Sequence, residues 1–364
     1  MDKPILEYVV EWGESKERTW SGTPFSLMQA LKKYYTINDF NASPRYNLFS
    51  RIWRKIFRIS YDFGIRQHRK FGKKIKRKLD KSRRVNILQF AEIVNNNSNI
   101  NTYIYIDLSV SYMKDLLEKD PNLYKLSSFD FVDSKYIYKR EPIQSEYLNN
   151  CSGIFTMSHW LRDYLINVRG IKRDKIHCVG GGINLDISKV MTLQKKNNKI
   201  LFVGRDYIRK GLPLVMEAFL NLKNRYPNIE LHVAGPSENP FNDDIEGFFF
   251  YGDCSHDRLS ELFNLCDVFC MPSYFEAYGL VFIEALCYGL PCIGRNEYEM
   301  PYFIEDNVTG KLLHDNSVHE LADAISEILT SDHYRNAVLA RKNEYLRKYS
   351  WNTVAQRISD IIGN

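Results

Sequence analysis

The chain has 364 residues, of which 44% are hydrophobic, 26% charged and 14% aromatic, and its net charge is +6. This length suits two domains of roughly 100–200 residues each, and the composition excludes a disordered chain, a collagen and a coiled coil. No apolar run reaches the roughly 18–20 residues of a membrane-spanning helix. The first residues do not show a basic head followed by an apolar stretch, so the sequence does not predict a secretory signal.

The first half of the chain predicts alternating strands and helices. Thr23 predicts a helix cap that is followed by Pro24 at the first helical position, and Ser158 predicts the cap of a later helix that runs to residue 168. Apolar runs predict strands at residues 5–10, 85–90, 103–106, 153–157 and 175–179. Such alternation favours a parallel sheet that is covered by helices on both faces.

Residues 51–84 carry most of the positive charge. They contain fifteen Lys or Arg and two Asp, a local balance of +13, so the rest of the chain sums to −7. Apolar residues recur at helical spacing among the cations, at Ile52, Ile56, Ile59, Phe63, Phe71, Ile75 and Leu79. Three interpretations stay open: an amphipathic surface on an anionic membrane, a solvated helix face, or nucleic-acid binding without a recognised motif.

The second half shows the same alternation more clearly, after a polar stretch at residues 191–199 that predicts a linker. Helices are predicted at residues 212–225, after Ser255, and at 281–288. Strands are predicted at residues 200–204, 229–235, 248–251, 268–271 and 291–293. Ligands of such sheets bind outside the carboxyl ends of the strands, so we expect functional residues directly after them.

Two cations and two glycines follow the first strand of this half, as Gly204-Arg205 and Lys210-Gly211. Glycines allow close approach of the backbone, and the N-terminus of the next helix adds partial positive charge. Together with Arg205 and Lys210 this arrangement suits a diphosphate. The alternative is an ordinary basic loop.

Two glutamates follow a later strand, with seven residues between them. Glu276 lies in a loop and Glu284 on the helix after it. Glu276 could accept hydrogen bonds from the hydroxyls of a sugar, and Glu284 could hold the hydroxyls of a ribose. The N–H groups of Gly279 and Leu280 would then face phosphate. The alternative is a capped helix with one exposed acid.

The run of residues 200–311 resembles the nucleotide-sugar domain of the retaining glycosyltransferases of family four, which have the GT-B fold. Tyr-Ser-Trp at 349–351 resembles the start of that family's last helix, which crosses back to the first domain. The similarity rests on Gly-Arg at 204–205, Lys-Gly at 210–211, Ala-Gly-Pro at 234–236, Tyr-Gly at 251–252, the glutamate pair, and Glu-Asp-Asn-Val-Thr-Gly at 305–310.

The resemblance implies an α/β protein with two Rossmann-like parallel-sheet domains that face a cleft. It places an acceptor-binding domain at residues 1–188, a nucleotide-sugar domain at 189–345, and a helix returning to the first domain at 346–364. The first domain matches the family less sharply. Trp20 to Leu27 resembles the first glycine loop of one subgroup, and Asp107 stands where many members have a histidine.

Two points weaken the match around the donor sugar. The alternative for Asp107 is a helix cap for Leu108 onward. Tyr302 stands where the family usually has a glutamate, with Glu299 nearby.

The resemblance assigns a role to each candidate site residue. Glu276 and Asp107 would be catalytic, Glu284 would bind the ribose, and residues 251–253 would lie near the base. The residues that would bind the diphosphate are Arg205, Lys210, Gly279, Leu280 and Gly22. The three residues near the base are Tyr251, Gly252 and Asp253. No Asp-x-Asp motif is present, so we expect no divalent metal and no cofactor.

The predicted activity is retaining transfer of a sugar from a UDP- or GDP-sugar to a hydroxyl of a lipid-linked or cell-surface glycan. Residues 51–84 would contact an anionic membrane, which implies a cytoplasmic protein on the inner membrane face, and no nucleic acid is expected. Seven cysteines without a close pair predict reduced thiols. The alternative function is a non-catalytic GT-B-like protein that binds nucleotide or nucleic acid. Epimerases and phosphorylases share the architecture but lack this glutamate pair.

Overall fold

A computed structural model describes residues 3–43, 64–79, 82–127, 129, 132–191, 198–241, 244–315 and 317–363. Its contacts divide the chain into two compact units. The first unit contains residues 1–125, 129–181 and 351–364, and the second contains 126–128 and 182–350. The chain therefore leaves the first unit and returns to it at the C-terminal end.

The first unit is built on a parallel sheet. Its strands are β1 (Ile5–Val10), β2 (Thr36–Asn41), β3 (Val85–Gln89), β4 (Ile100–Ile106), β5 (Gly153–Thr156) and β6 (Ile176–Cys178). Among the described residues, these six strands pair in the order β2-β1-β3-β4-β5-β6. The order of the strands reverses between β1 and β3. In open parallel sheets, ligands bind beyond the carboxyl ends of the strands at such a reversal.

The helices in the first half of the chain cover this sheet. They are α1 (Thr23–Leu31), α2 (Ile65–Lys76), α3 (Val110–Lys119), α4 (Pro121–Leu126), α5 (Ser134–Asn150) and α6 (His159–Asn167). The cap expected at Thr23 is wrong, because Gly22 is the N-cap of α1 and Thr23 is its first residue. The Ser158 side chain accepts a hydrogen bond from the amide of Leu161 and caps α6. Helix α3 is capped by Ser109, which accepts from the amide of Tyr112, so the interpretation of Asp107 as a helix cap is wrong.

Helix α2 is the described part of the basic segment, and it presents its apolar side to the sheet. Ile75 and Leu79 are buried in a cluster that includes Val85 and Ile87. Gly72 is needed for this contact, because a Cβ there would lie 2.0 Å from the carbonyl oxygen of Ile93. Phe71 packs against the same cluster, and the other four members of the predicted apolar stripe lie outside the described residues, at Ile52, Ile56, Ile59 and Phe63.

A buried polar cluster also holds α2 in place. Nε2 of His68 lies 3.1 Å from Oε1 of Glu11, and Nδ1 lies 3.6 Å from Oε2 of Glu92. Arg140 on α5 donates to the same Glu92 oxygen at 2.8 Å. Burial alone would lower the pKa of His68, but the two carboxylates outweigh it and the pKa is raised. Helix α2 is therefore anchored by charge as well as by apolar packing.

The second unit contains another parallel sheet. Its strands are β7 (Lys199–Val203), β8 (Glu230–Ala234), β9 (Phe248–Gly252), β10 (Val268–Cys270), β11 (Cys292–Arg295) and β12 (Gly310–Leu313). Within the described residues these six strands pair in the order β12-β11-β10-β7-β8-β9. Ile200, Leu201 and Phe202 of β7 are completely buried, as expected for a central strand that is covered on both faces.

Helices cover the second sheet as well. They are α7 (Leu212–Lys223), α8 (His256–Leu265), α9 (Leu280–Cys287), α10 (Met300–Phe303), α11 (Val318–Thr330), α12 (Asp332–Ala340) and α13 (Lys342–Lys348). Ser255 accepts a hydrogen bond from the amide of Arg258 and caps α8, as predicted. None of the helices in the described ranges is long and apolar enough to cross a lipid bilayer.

The last helix, α14 (Trp351–Ile362), belongs to the first unit and packs on α1. Tyr35, which follows α1, donates to the carbonyl of Ser359 at 3.4 Å, and Arg357 donates to the carbonyl of Val179 at 2.8 Å. The predicted fold class of two Rossmann-like parallel sheets is confirmed, and the expected cleft stays a prediction.

The unit boundaries lie at 181/182 and 350/351, whereas the sequence placed them at 188/189 and 345/346. The difference has a physical reason. The amide of Ile183 donates to the carbonyl of Tyr349 at 2.9 Å, which attaches the segment after residue 181 to the second unit. The predicted linker at 191–199 falls largely outside the described residues.

Candidate functional site

Two loops meet where the strand order of the second sheet reverses. One joins β7 to α7, and the other joins β10 to α9. Because β7 and β10 are neighbours, both loops leave the same edge of the sheet, and the amide of Tyr274 donates to the carbonyl of Arg209 at 2.9 Å. Open parallel sheets bind their ligands at this position. The structure therefore brings together the two sequence clusters that we singled out.

Lys210 and Glu276 face each other across these loops. Nζ of Lys210 lies 3.9 Å from Oε2 of Glu276, and both side chains are 13% exposed. Nζ also lies 3.5 Å from the sulfur of Met271. Burial lowers the pKa of Lys210, and the nearby Glu276 only partly offsets this. A buried cation with so little compensation favours an incoming anion.

Arg209 is a functional candidate that sequence reasoning missed. Its Nη1 donates to the carbonyl of Phe275 at 2.6 Å and to Oε2 of Glu276 at 3.3 Å. Its Nε donates to Oδ2 of Asp206 at 3.0 Å. The sequence does show that Arg209 directly precedes Lys210. It does not show whether this arginine contacts another residue or is simply solvated.

Glu284 is buried on α9, eight residues after Glu276. It is 8% exposed, and burial raises its pKa to about 7, although the amide of Asn184 and the charge of Lys210 both act to lower it. The Asn184 amide donates to Oε1 at 3.4 Å. A buried carboxyl whose pKa is raised this far is typical of a functional site rather than of a solvated helix face.

Helix α9 begins beside this carboxyl pair. Gly279 is its N-cap with φ 97°, a left-handed conformation that favours glycine, and Leu280 is the first helical residue. A Cβ at Gly279 would lie 3.3 Å from Cγ of Glu276 and 3.0 Å from the ring of Phe282. The glycine therefore allows the Glu276 loop and the helix N-terminus to lie close together.

Arg205 lies on the exposed side of the same edge. Its Nη2 is 3.0 Å from Oδ1 of Asp253, and the two side chains are 81% and 64% exposed. Asp253 follows β9, so this pair joins the predicted diphosphate and base regions. Tyr251 is turned toward the sheet, where its hydroxyl lies 2.8 Å from Nδ1 of His232, and Gly252 ends β9.

The remaining two predicted site residues lie in the first unit. Gly22 is the N-cap of α1 with φ 85°, and Trp20 and Ser21 before it also have left-handed backbone conformations. The ring of Trp20 packs edge-on against Phe90, which follows β3. Asp107 directly follows β4 at the same sheet edge. The role of Gly22 and Asp107 in the donor site stays a prediction.

The residues near the donor-sugar position differ in burial. Tyr302 is 45% exposed, whereas Glu299 is 1% exposed.

In the described ranges, no three His, Cys, Asp or Glu side chains gather as metal ligands would. All seven cysteines are described and none forms a disulfide.

Comparison with known proteins identifies the second unit. Residues 185–346 match the family described as "Glycosyl transferases group 1". The match covers less than half of the chain, and for this part it confirms the resemblance inferred from the sequence. Arg205, Lys210, Glu276 and Glu284 lie inside the matched residues, whereas Gly22 and Asp107 lie outside them.

Curated relatives match over part of their length. An uncharacterized glycosyltransferase of Methanocaldococcus jannaschii is 24% identical over 252 residues, which covers 63% of each chain. A phosphatidyl-myo-inositol mannosyltransferase of Mycolicibacterium smegmatis is 26% identical over 174 residues, covering 46% of this chain and 45% of the relative. The chain thus spans between about half and two thirds of the length of these relatives.

Solved structures show the same fold across nearly the whole chain. Sucrose-phosphate synthase from Thermosynechococcus elongatus superposes with a TM-score of 0.68 at 16% identity, covering 99% of this chain and 98% of the other. WaaG, a glycosyltransferase involved in lipopolysaccharide biosynthesis, gives 0.65 at 16% identity over 98% and 99%. An Anabaena protein, HepE, in complex with UDP and glucose gives 0.62 at 12% identity over 98% and 99%.

Proposed function

We propose that this chain is a retaining glycosyltransferase that moves a sugar from a UDP- or GDP-sugar to a hydroxyl of a lipid-linked or cell-surface glycan. The observation that supports it most is the pairing of Lys210 with Glu276 at the point where the strand order of the second sheet reverses. Glu284 lies buried beside them. One cation and two carboxyl groups in this arrangement suit the diphosphate, the sugar and the ribose of such a donor.

The chemistry follows from where charge develops. When the bond between sugar and diphosphate breaks, negative charge grows on the leaving diphosphate. Lys210 and Arg205 stabilise that charge, aided by the amide groups at the start of α7 and α9. Glu276 orients the sugar by accepting its hydroxyls, and Asp107 binds a hydroxyl or takes part in proton movement. These cations take the place of a metal, so the proposed reaction needs none.

The proposed acceptor is a lipid-linked or cell-surface glycan at an anionic membrane. Its support is the outer side of α2 and the turn after it, where exposed cations occur without an acidic residue. They are Arg66, Arg69, Lys70, Lys73, Lys74, Arg77 and Lys78. Because Ile75 and Leu79 are buried in the first unit, the proposed contact is electrostatic and does not insert this apolar stripe. The protein would then lie on the inner face of the membrane, in the cytoplasm.

Thermal melting with UDP, GDP, ADP and CMP tests the donor site. A ligand at about 100 times its Kd adds roughly 2.7 kcal/mol to stability, so one diphosphate should raise the Tm by several degrees. Arg205→Ala/Lys210→Ala should lose the shift, while Arg225→Ala, an exposed arginine after α7, should keep it. The shift should persist in excess EDTA.

Two results would contradict parts of this proposal. A shift that disappears in EDTA and returns with magnesium would show that a metal is needed. The absence of a shift with all four nucleotides would favour the non-catalytic alternative, for which Asp107 and Tyr302 are the sequence features.

A further inference from the structure

Three side chains approach the same oxygen of Glu276. Nη1 of Arg209 donates to Oε2 at 3.3 Å, and the hydroxyl of Ser273 donates to it at 3.4 Å. Nζ of Lys210 lies 3.9 Å from it. Within the part of the chain that the structure describes, the contacts of this carboxylate thus fall on Oε2. Oε1 keeps its lone pairs for a ligand.

Arg209 is itself held rigidly. Its side chain is 15% exposed, and its Nε is fixed by Oδ2 of Asp206 at 3.0 Å. The same guanidinium donates to the carbonyl of Phe275 at 2.6 Å, one residue before the carboxylate that it contacts. A planar guanidinium can make these contacts at once, whereas the single ammonium of a lysine cannot reproduce the fork.

The loop that carries Glu276 is also held from its other side. The ring of Phe275 packs edge-on against the ring of Tyr298, with centroids 5.2 Å apart. The amide of Tyr274 donates to the carbonyl of Arg209 at 2.9 Å. Arg209 therefore contacts both the main chain and the carboxylate of a loop that has little freedom to move.

Arg209 and Lys210 lie at different distances from the carboxylate of Glu276. Arg209 is closer to Oε2 of Glu276 than Lys210 is, at 3.3 Å against 3.9 Å. Arg209 is therefore the main counterion of the glutamate. The charge of Lys210 is then left for an anionic ligand.

We propose that Arg209 is a positioning residue, which holds Oε2 of Glu276 so that Oε1 meets the hydroxyls of the donor sugar. The inference rests on the proposed function. Arg209 acts on the sugar through Glu276 and touches no part of the nucleoside diphosphate. Sugar transfer should therefore depend on Arg209, and binding of the diphosphate alone should not.

The test measures kcat/KM for the nucleotide-sugar and Kd for its nucleoside diphosphate in the full chain. Arg209→Ala and Arg209→Gln should lower kcat/KM about 100-fold, as expected when a catalytic group moves by about 1 Å. The diphosphate Kd should stay within about threefold, and Arg209→Lys should restore part of the activity. Arg225→Ala is the matched control and should behave as wild type. Arg209→Gln keeps the length of the stem, so it provides a folded variant if the alanine variant melts early.

A double-mutant cycle shows whether Arg209 acts through Glu276. In a Glu276→Gln background, Arg209→Gln should cost less than about threefold, since the group it positions is already impaired. Multiplicative losses, or single Arg209 variants that keep transfer within about threefold, would overturn the positioning role alone. A wild-type chain that binds no nucleoside diphosphate and turns over no nucleotide-sugar would overturn the proposed function itself.

Discussion

Glu284 and Lys210 are buried groups whose ionised forms are costly in this environment. Burial raises the pKa of Glu284 to about 7, although the charge of Lys210 opposes the change, and it lowers the pKa of Lys210. Groups with strongly shifted pKa values cluster at functional sites. A ribose would bring hydroxyls to Glu284, and a diphosphate would bring negative charge to Lys210.

The raised pKa of Glu284 predicts how stability depends on pH. The folded protein holds this proton up to about pH 7, whereas the ordinary value is 4.5. Only the folded state binds the extra proton between these values, so this group makes stability fall as pH rises from 4.5 to 7 and adds no further change above that. Glu284→Gln should lose this fall and be more stable at pH 8 by about 3 kcal/mol or less.

Urea unfolding from pH 5 to pH 8 measures this effect. Glu238→Gln, at an exposed acid of the same unit, is the control and should keep the wild-type slope. A Glu284→Gln variant with the wild-type slope would show that the carboxyl is ionised throughout this range in the folded protein.

Single residues of the site differ in how far the sequence could predict them. Lys210 and Glu276 follow strand ends in a recognisable order, and the structure brings their charged atoms to 3.9 Å. Arg209 could not be predicted in the same way, because the carboxylate that it contacts lies 67 residues later and only the sheet order brings the two together. The amide of Asn184, 100 residues before Glu284, was missed for the same reason.

Elements with a strong apolar pattern or a clear cap were predictable, and polar ones were not. The buried strand β7 and the helices capped by Ser158 and Ser255 were expected. The edge strand β2 was not, because its exposed sequence of Thr, Ile, Asn, Asp, Phe and Asn lacks an apolar alternation. Its position in the sheet depends on pairing with β1, which a local pattern does not encode.

Helix α14 is an element whose packing predicts a separable effect on stability. Ile358 is completely buried in the helix that packs on α1, in the unit that does not hold Lys210 and Glu276. Ile358→Ala should cost about 2–5 kcal/mol, as truncations of buried isoleucines do. The Tm shift caused by the nucleoside diphosphate should remain, since Arg205 and Lys210, the two cations proposed to bind it, lie in the second unit.

Urea unfolding of the variant, followed by melting with and without the diphosphate, checks both statements. Gln356→Ala, at an exposed position of the same helix, should change stability by less than about 0.5 kcal/mol. Loss of the diphosphate shift in a folded Ile358→Ala protein would show that the donor site depends on the first unit.

Charge is the property of the whole molecule that the sequence showed most directly. Residues 51–84 carry +13 while the remainder carries −7, so the chain is strongly asymmetric in charge. The sequence could not show which side of the basic helix was exposed. The structure answers this for the described part, where His68, Gly72 and Ile75 are buried and the cations between them are exposed.

This asymmetry predicts how the molecule binds to a membrane. A contact made by exposed cations should be strong with anionic vesicles and absent with neutral ones, because each Lys or Arg near an anionic surface contributes about 1 kcal/mol. Salt should weaken the contact, because it screens these charges within about 10 Å at 0.1 M. Sedimentation with vesicles of phosphatidylglycerol and phosphatidylcholine measures it. Replacing five cations of the exposed side by glutamine should weaken binding at least about 10-fold. The five are Arg66, Arg69, Lys73, Lys74 and Arg77.

The matched control removes the same charge from other exposed positions and should keep most of the binding. Its five positions are Lys32, Lys33, Lys172, Arg173 and Arg225. If both variants lose binding equally, net charge alone drives the attraction and the exposed side of α2 has no special role. If neither loses it, the contact does not use these cations, and the interpretation of α2 as an ordinary solvated face takes its place.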